Sequence, residues 1–294
     1  MEVSIILYHE WFSQYMALYK RGLKPRTREE YERINRAYLA PILGALDVAA
    51  ITPEDVQRCL IAAADRGGSR PAQAVFSLIH AVMRRACRSR LVPWSPDDAL
   101  DKPEHTPEQG KQLTERDLDA ALPFIRQDLA LSLALFAGLR RGEICGLQWG
   151  DVDLPLGVIH IRRQRQRVGG QLIEQTPKSA SGCRDVPIDP ELLPLLRQSF
   201  RFFPRAYVVS CSPEHVGHRW SAIQQRDVNL SQHYRLHDLR HTYGSRLILK
   251  GCLPRVVQYL MGHGSLEVTM RVYSHVDADQ AAREVRKVYA GSLH

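Results

Sequence analysis

Up to residue 92, apolar positions recur at three- and four-residue intervals, the period of one face of an α-helix, and helix start signals coincide with them. The spacing predicts helices throughout this half. The first covers Ile5 to Lys20. A second opens at Thr27, with Glu30 completing a capping box and Tyr31, Ile34, Tyr38 and Leu39 forming its stripe. Thr52-Pro53-Glu54-Asp55 supplies an N-cap, a proline at the first helical position and acids at the positive end of a third. Val75, Leu78, Ile79, Val82 and Ala86 line a fourth, whose outer face carries Arg84, Arg85 and Arg88. Those arginines suit either a polyanionic partner or an ordinary solvated face. Pro93, Pro96, Pro103, Pro107 and Gly110 then crowd together, which predicts a helical domain over 1–92, a linker over 93–112 and a second domain over 113–294.

The second domain opens on a cap at Thr114-Glu115-Arg116-Asp117 and an apolar helix from Leu129 to Leu139. The period then falls to two. Val158–Arg167, Gln171–Gln175 and Arg184–Ile188 read as short strands, with a Gly169-Gly170 turn between the first two. Helical spacing returns near Leu236–Lys250, Pro254–Met261, Ser265–Tyr273 and Asp277–Tyr289. The fold class is therefore mainly α with one small antiparallel sheet, the second domain being α+β.

Composition narrows the setting. A chain of 294 residues with 44% hydrophobic and 24% charged positions has globular composition, which excludes disorder as its main state. No apolar run approaches the roughly 18–20 residues of a membrane span, and Glu2 breaks any signal-peptide pattern. Six dispersed cysteines without a CxxC pair suit a reducing cytoplasm. The net charge of +8 is concentrated after residue 110, where 25 basic residues face 18 acidic ones. A polyanionic partner follows from that sign, without a choice among DNA, RNA and a lipid surface.

Polar residues able to do chemistry collect in five stretches of the second domain. In Gly138-Leu139-Arg140-Arg141-Gly142-Glu143, a guanidinium can fork onto phosphate oxygens with a carboxylate to orient it, although an ordinary Arg–Glu helix pair has the same spacing. Lys178 sits in the connection between two predicted strands, within Thr176-Pro177-Lys178-Ser179, where a lysine can reach over a ligand or simply face solvent. His237 and Arg240 share a helical face in His237-Asp238-Leu239-Arg240-His241. His237 and His241 are spaced as metal ligands, but no HExxH glutamate or third ligand accompanies them; Cys211, His215 and His218 fit loop residues better than a metal site. His263 lies between glycines in a turn before the helix capped by Ser265. Tyr273, near the end of that helix, is the candidate nucleophile if cations surround its phenol, and otherwise a packing residue.

In this order the five stretches resemble the tyrosine recombinase (phage integrase) family, and the helical first half is similar to its core-binding domain. The resemblance implies a site-specific DNA recombinase that breaks and rejoins strands through a 3′-phosphotyrosyl link. It assigns phosphate clamping to Arg140, Arg240 and His263, support of the clamp to Glu143, general-acid work to Lys178, proton relay to His237 and nucleophilic attack to Tyr273. It also implies double-stranded DNA as partner, a homo-oligomer, expected to be a tetramer, on DNA, accessory DNA-bending or excision factors, no membrane partner, and no metal or cofactor. Lys24, Arg26 and Arg28 are expected phosphate contacts of the first domain. The helix after Asp277, with Gln280 at capping-box distance and Val285, Val288 and Tyr289 apolar, suits docking on a neighbouring protomer or packing on its own domain. Gly142 stands where the family often has a small polar residue. Many family members carry an arm-site domain ahead of the core-binding domain, whereas here the helical pattern starts almost at Met1; a simpler recombinase or an absent arm-binding segment both fit. Chromosome-dimer resolution, a type IB topoisomerase and a catalytically inactive DNA-binding protein are the competing functions.

Overall fold

The computed structural model describes residues 5–106, 110–177, 180–226 and 228–264. The chain divides into two compact units, Met1–Glu108 and Gln109–His294. In the first unit, α1 (Tyr8–Gln14) runs on as a π-helical turn over Tyr15–Tyr19, and α2 (Pro25–Ile34) continues through a similar turn into α3 (Ala40–Leu43). Pro41 has no N–H for the Ala37 carbonyl, and Arg66 Nη1 donates to that oxygen instead, at 3.2 Å. The second helix starts at Pro25 rather than Thr27, because a proline preset to helical φ occupies its first position. Glu30 consequently forms no capping box and forks with Arg33 at 2.9 and 2.7 Å.

Thr52 caps α4 (Pro53–Gly67) as its sequence predicts, accepting from the Asp55 amide at 3.2 Å while Asp55 accepts from the Thr52 amide at 3.0 Å. With α5 (Ser69–Arg88), these helices enclose a core that includes Trp11, Leu39, Val56, Ile79 and Val82. The described parts of the stretch read as a linker make specific contacts. Pro96–Ala99 forms a 3-10 turn with Ser95 and Asp97 buried, and Asp97 Oδ2 lies 2.6 Å from His80 Nδ1. On the far side, the Lys111 and Leu113 amides donate to Asp238 Oδ1 (3.2 Å) and Thr242 Oγ1 (2.9 Å) within the second unit.

The second unit begins with α6 (Glu115–Ile125), capped by Thr114, and α7 (Leu129–Phe136). From Ala130 to Phe136 every residue of α7 is buried, as expected of a helix apolar on all sides. Gly138 ends this segment with φ +62°, and a Cβ there would lie 2.4 Å from the Tyr243 ring, so only glycine fits. After α8 (Arg141–Gly146) come β1 (Val152–Asp153), β2 (Val158–Ile161), β3 (Gln164–Val168), β4 (Gln171–Gln175) and β5 (Arg184–Pro187). They form two antiparallel sheets, not one: β1-β2-β5, and a β3-β4 ribbon closed at Gly169-Gly170.

The stretch 158–167, predicted as one strand, thus serves both sheets. It breaks at Arg162 and Arg163, whose guanidiniums pair with Asp185 and Asp151 respectively. The remaining described helices are α9 (Leu193–Ser199), α10 (Pro213–Arg226), α11 (Leu236–Leu249) and α12 (Pro254–Met261). His215 and His218 lie on α10 and are not loop residues. The helices expected at Ser265–Tyr273 and Asp277–Tyr289 lie outside the described residues. No described helix is long and apolar enough to cross a membrane.

Candidate active site

The site is assembled around one buried carboxylate. Arg140 is the extended N-cap of α8, and its amide donates to Glu143 Oε2 at 2.8 Å while its own Nη1 folds back onto Oε1 at 2.8 Å. Arg184 reaches the same carboxylate from β5, as a fork: Nη1 to Oε1 at 3.0 Å and Nη2 to Oε2 at 2.9 Å. Arg240, from α11, brings Nη1 to 3.9 Å from Oε2. Helix α12 ends against this cluster. Its last carbonyls have no intrahelical donors and sit at the negative end of the helix dipole, where cations are favoured. Arg184 Nε donates to Leu260 O at 2.6 Å, Arg240 Nη2 to Met261 O, and Arg140 Nη2 to Gly262 O at 2.7 Å. Three consecutive carbonyls are therefore each held by one arginine. Gly262 takes a left-handed φ of +58°, and a Cβ there would come within 3.0 Å of Arg184 Nη1.

Charge does not balance in this cluster. Three guanidiniums face one carboxylate, so two positive charges remain for a ligand. Burial by itself would raise the Glu143 pKa, but the Arg184 fork, reinforced by Arg240 and Arg140, outweighs it and holds the acid at about 2. Burial and the neighbouring Arg140 charge push Arg240 the other way, below the ordinary guanidinium value, although an arginine stays protonated in a protein. The clamp is thus electrostatically loaded in favour of an anion. The Arg184 and Arg240 side chains are buried, whereas that of Arg140 is 34% exposed and is the member able to meet a ligand from solvent.

The imidazoles belong to the same field. Loss of hydration, then the charges of His241, Arg240 and Arg140, depress the pKa of His237, which sits in the first turn of α11. Loss of hydration followed by Arg240 and Arg140 brings His263 down to about 3. Both rings are neutral near pH 7, each with one ring N–H to donate. The His237 and His241 rings meet edge to face at 4.6 Å, and Nδ1 of His241 is buried without a partner. Beside His237 opens a cavity of about 470 Å³ lined by Arg141, Glu214, His218, His233 and Arg235.

Of the residues singled out from sequence, Arg140, Glu143, Arg240, His237 and His263 share this region, while Lys178 and Tyr273 lie outside the described residues. Lys24, Arg26 and Arg28 belong to the first unit, where Arg28 Nη2 donates to Lys20 O at 3.0 Å. Sequence reasoning missed Arg184. Its signal was alternation: Arg184 and Val186 are the inward positions of β5, and an arginine on a core face requires a buried acid. Among the described residues, the histidines of α11 join no cluster of metal-ligating groups; His80, Asp97 and Asp98 of the first unit do, and Asp98 there pairs with Arg84 at 3.5 Å.

Residues 106–280 match the phage integrase family and residues 7–61 match the phage integrase N-terminal SAM-like domain. The chain is 24% identical to the ICEBs1 integrase of Bacillus subtilis, covering 90% of this chain and 77% of that protein. It is 25% identical to the transposase from transposon Tn916 of Enterococcus faecalis, with 90% and 74% covered. The structure of the Tn1549 transposon integrase with a circular intermediate DNA superposes with a TM-score of 0.78 at 21% identity, covering 96% of this chain and 99% of that one. A lambda integrase dimer bound to a core site follows at 0.71 and 19%, with 91% and 95% covered. With the family match running through most of the second unit, including every residue of the arginine–carboxylate cluster, this chain belongs to the phage integrase family of tyrosine recombinases.

Proposed function

We propose that the chain is a site-specific DNA recombinase that integrates or excises a mobile element by transesterification. The observation that carries this reading is the surplus of two positive charges around Glu143, fixed in place before any ligand arrives. A phosphodiester in transesterification gains negative charge on its nonbridging oxygens, and preorganised donors stabilise that charge more than they stabilise the ground state. Arg140, Arg240 and His263 are the donors. The Tyr273 oxygen attacks phosphorus, the bond to the 5′-oxygen breaks, and Lys178 protonates the departing oxygen. His237 takes the phenolic proton once the bound phosphate offsets the cations that depress its pKa. A 5′-hydroxyl of the partner strand then attacks the phosphotyrosyl link and releases Tyr273. The bond count is unchanged, so no external energy source is needed.

In the first unit, a groove of about 710 Å³ lined by Tyr15, Tyr19, Lys20, Arg84, Arg85 and Arg88 supports DNA backbone contact, alongside Lys24, Arg26 and Arg28. Buried Nε of Arg85 and Oη of Tyr15 have no hydrogen-bond partner there. Assembly as a tetramer on DNA, in a bacterial cytoplasm, is part of the same proposal; a lambda integrase tetramer bound to a Holliday junction supports it. Similarity to the ICEBs1 and Tn916 proteins supports integration or excision, and similarity to a XerC-like tyrosine recombinase, 23% identical over 95% of this chain, supports dimer resolution as the second reading.

The test begins with a duplex selected from a randomised pool by binding to the Tyr273→Phe protein, then nicked so that cleavage is trapped. Wild-type protein should form a covalent adduct, and Tyr273→Phe should bind without forming one. An adduct that survives in Tyr273→Phe removes the nucleophile from the proposal.

A further inference from the structure

Arg184 is the most completely buried cation of the cluster, and its contacts differ from those of its two companions. Its fork occupies both oxygens of Glu143, its Nε holds Leu260 O at 2.6 Å, and its Nη1 also donates to Gly182 O at 3.1 Å. One side chain thus joins β5, α8 and the end of α12. Its side chain has no exposed face and all three of its nitrogens already have acceptors, whereas Nε of the equally buried Arg240 has none, so Arg184 is left no donor for a substrate. A planar guanidinium suits this junction because its rigid donors match a carboxylate bidentately while Nε points elsewhere, which an ammonium cannot reproduce. Glu143 in turn is the group that folds Arg140 back into its clamping orientation.

We infer that Arg184 is a positioning residue for the cleavage reaction: by fixing the plane of Glu143 and the last carbonyls of α12, it orients Arg140 toward the scissile phosphate. The inference rests on the recombinase reading above. The geometry supplies the reason. Without the fork, Glu143 keeps its local contacts to Arg140 but is free to rotate about its terminal bond, and Arg140 then has a family of orientations where it now has one. Arg184 also borders the connection that carries Lys178, so action through the general acid is the alternative route to separate.

The experiment is a double-mutant cycle on the full chain with the selected nicked duplex, reading DNA Kd and single-turnover adduct formation separately. Arg184→Lys should slow cleavage about 10–100-fold, the range seen when groups that orient a functional residue are removed, with Kd changed less than about twofold. Because Arg184 acts through Glu143, Arg184→Met should cost nothing further in a Glu143→Gln background, and that pair leaves one fewer buried cation without a counterion than Glu143→Gln alone. The loss should persist on a duplex with sulfur replacing the scissile 5′-bridging oxygen, since a thiolate departs without a proton. Unchanged cleavage, equal losses in Kd and rate, multiplicative losses in the cycle, or recovery on the sulfur duplex would each overturn the inference while the wild-type adduct still forms. Absence of a Tyr273-dependent adduct in the wild type instead sinks the recombinase reading, and the positioning role with it.

Discussion

Replacing Glu143 by glutamine tests the architecture of the site more directly than removing any one cation. The side chain keeps its shape and loses its charge, leaving Arg184 and Arg240 buried and Arg140 half-buried without a counterion. The carboxylate is 2% exposed, and its pKa falls from an ordinary 4.5 to about 2. At 1.36 kcal/mol per unit that shift corresponds to ~3 kcal/mol of stability, within the 3–5 kcal/mol typical of breaking a buried ion pair. The opposite shift of Arg240 means that this figure measures the loss on removing the anion, not the net worth of the cluster. The sign also sets a pH window. A carboxylate with a depressed folded-state pKa contributes fully above about 4.5 and loses its contribution as pH falls toward about 2. Urea unfolding of wild type and Glu143→Gln at pH 7, 5, 4 and 3 should therefore show a gap of ~3 kcal/mol that is full at pH 7 and 5 and narrows with acid. A gap below about 1 kcal/mol at pH 7, or one that stays constant down to pH 3, refutes the reasoning.

Arg140→Ala and Arg240→Ala should each remove on the order of 2–4 kcal/mol of transition-state stabilisation, read as adduct rate on the trapped duplex; unchanged cleavage contradicts the clamp. Gly262→Ala should destabilise the second unit by roughly 1–3 kcal/mol in urea, because a left-handed φ of +58° and a Cβ 3.0 Å from Arg184 Nη1 penalise any side chain. Thr52→Ala should cost about 1 kcal/mol in the first unit by deleting the α4 cap, measured the same way. His237 and His263 have depressed pKa values, so their contribution to stability is fully present above about pH 6.5 and is lost as pH falls from there toward about 3. A bound phosphate should raise both values. DNA binding should then take up protons increasingly as pH drops below 6.5, seen by calorimetry in buffers of different ionisation enthalpy, and proton release would contradict it.

Local rules made part of this protein legible from sequence alone. The Thr52 and Thr114 caps, the Gly169-Gly170 turn and the all-apolar α7 depend on neighbours within a few residues, so they can be read where they stand. The pairing of Arg140 with Glu143 is legible for the same reason, being a contact across one helical turn. What tertiary structure decided is long-range. The stretch 158–167 splits between two sheets because Arg162 and Arg163 find acids at Asp185 and Asp151, a choice that strand periodicity does not encode. Glu143 selects Arg184, 41 positions away, and the carbonyls of Leu260, Met261 and Gly262, at and just past the end of α12, go to three arginines distant in sequence. A buried charge must find a partner wherever the chain brings one, and only the folded chain says which partner that is.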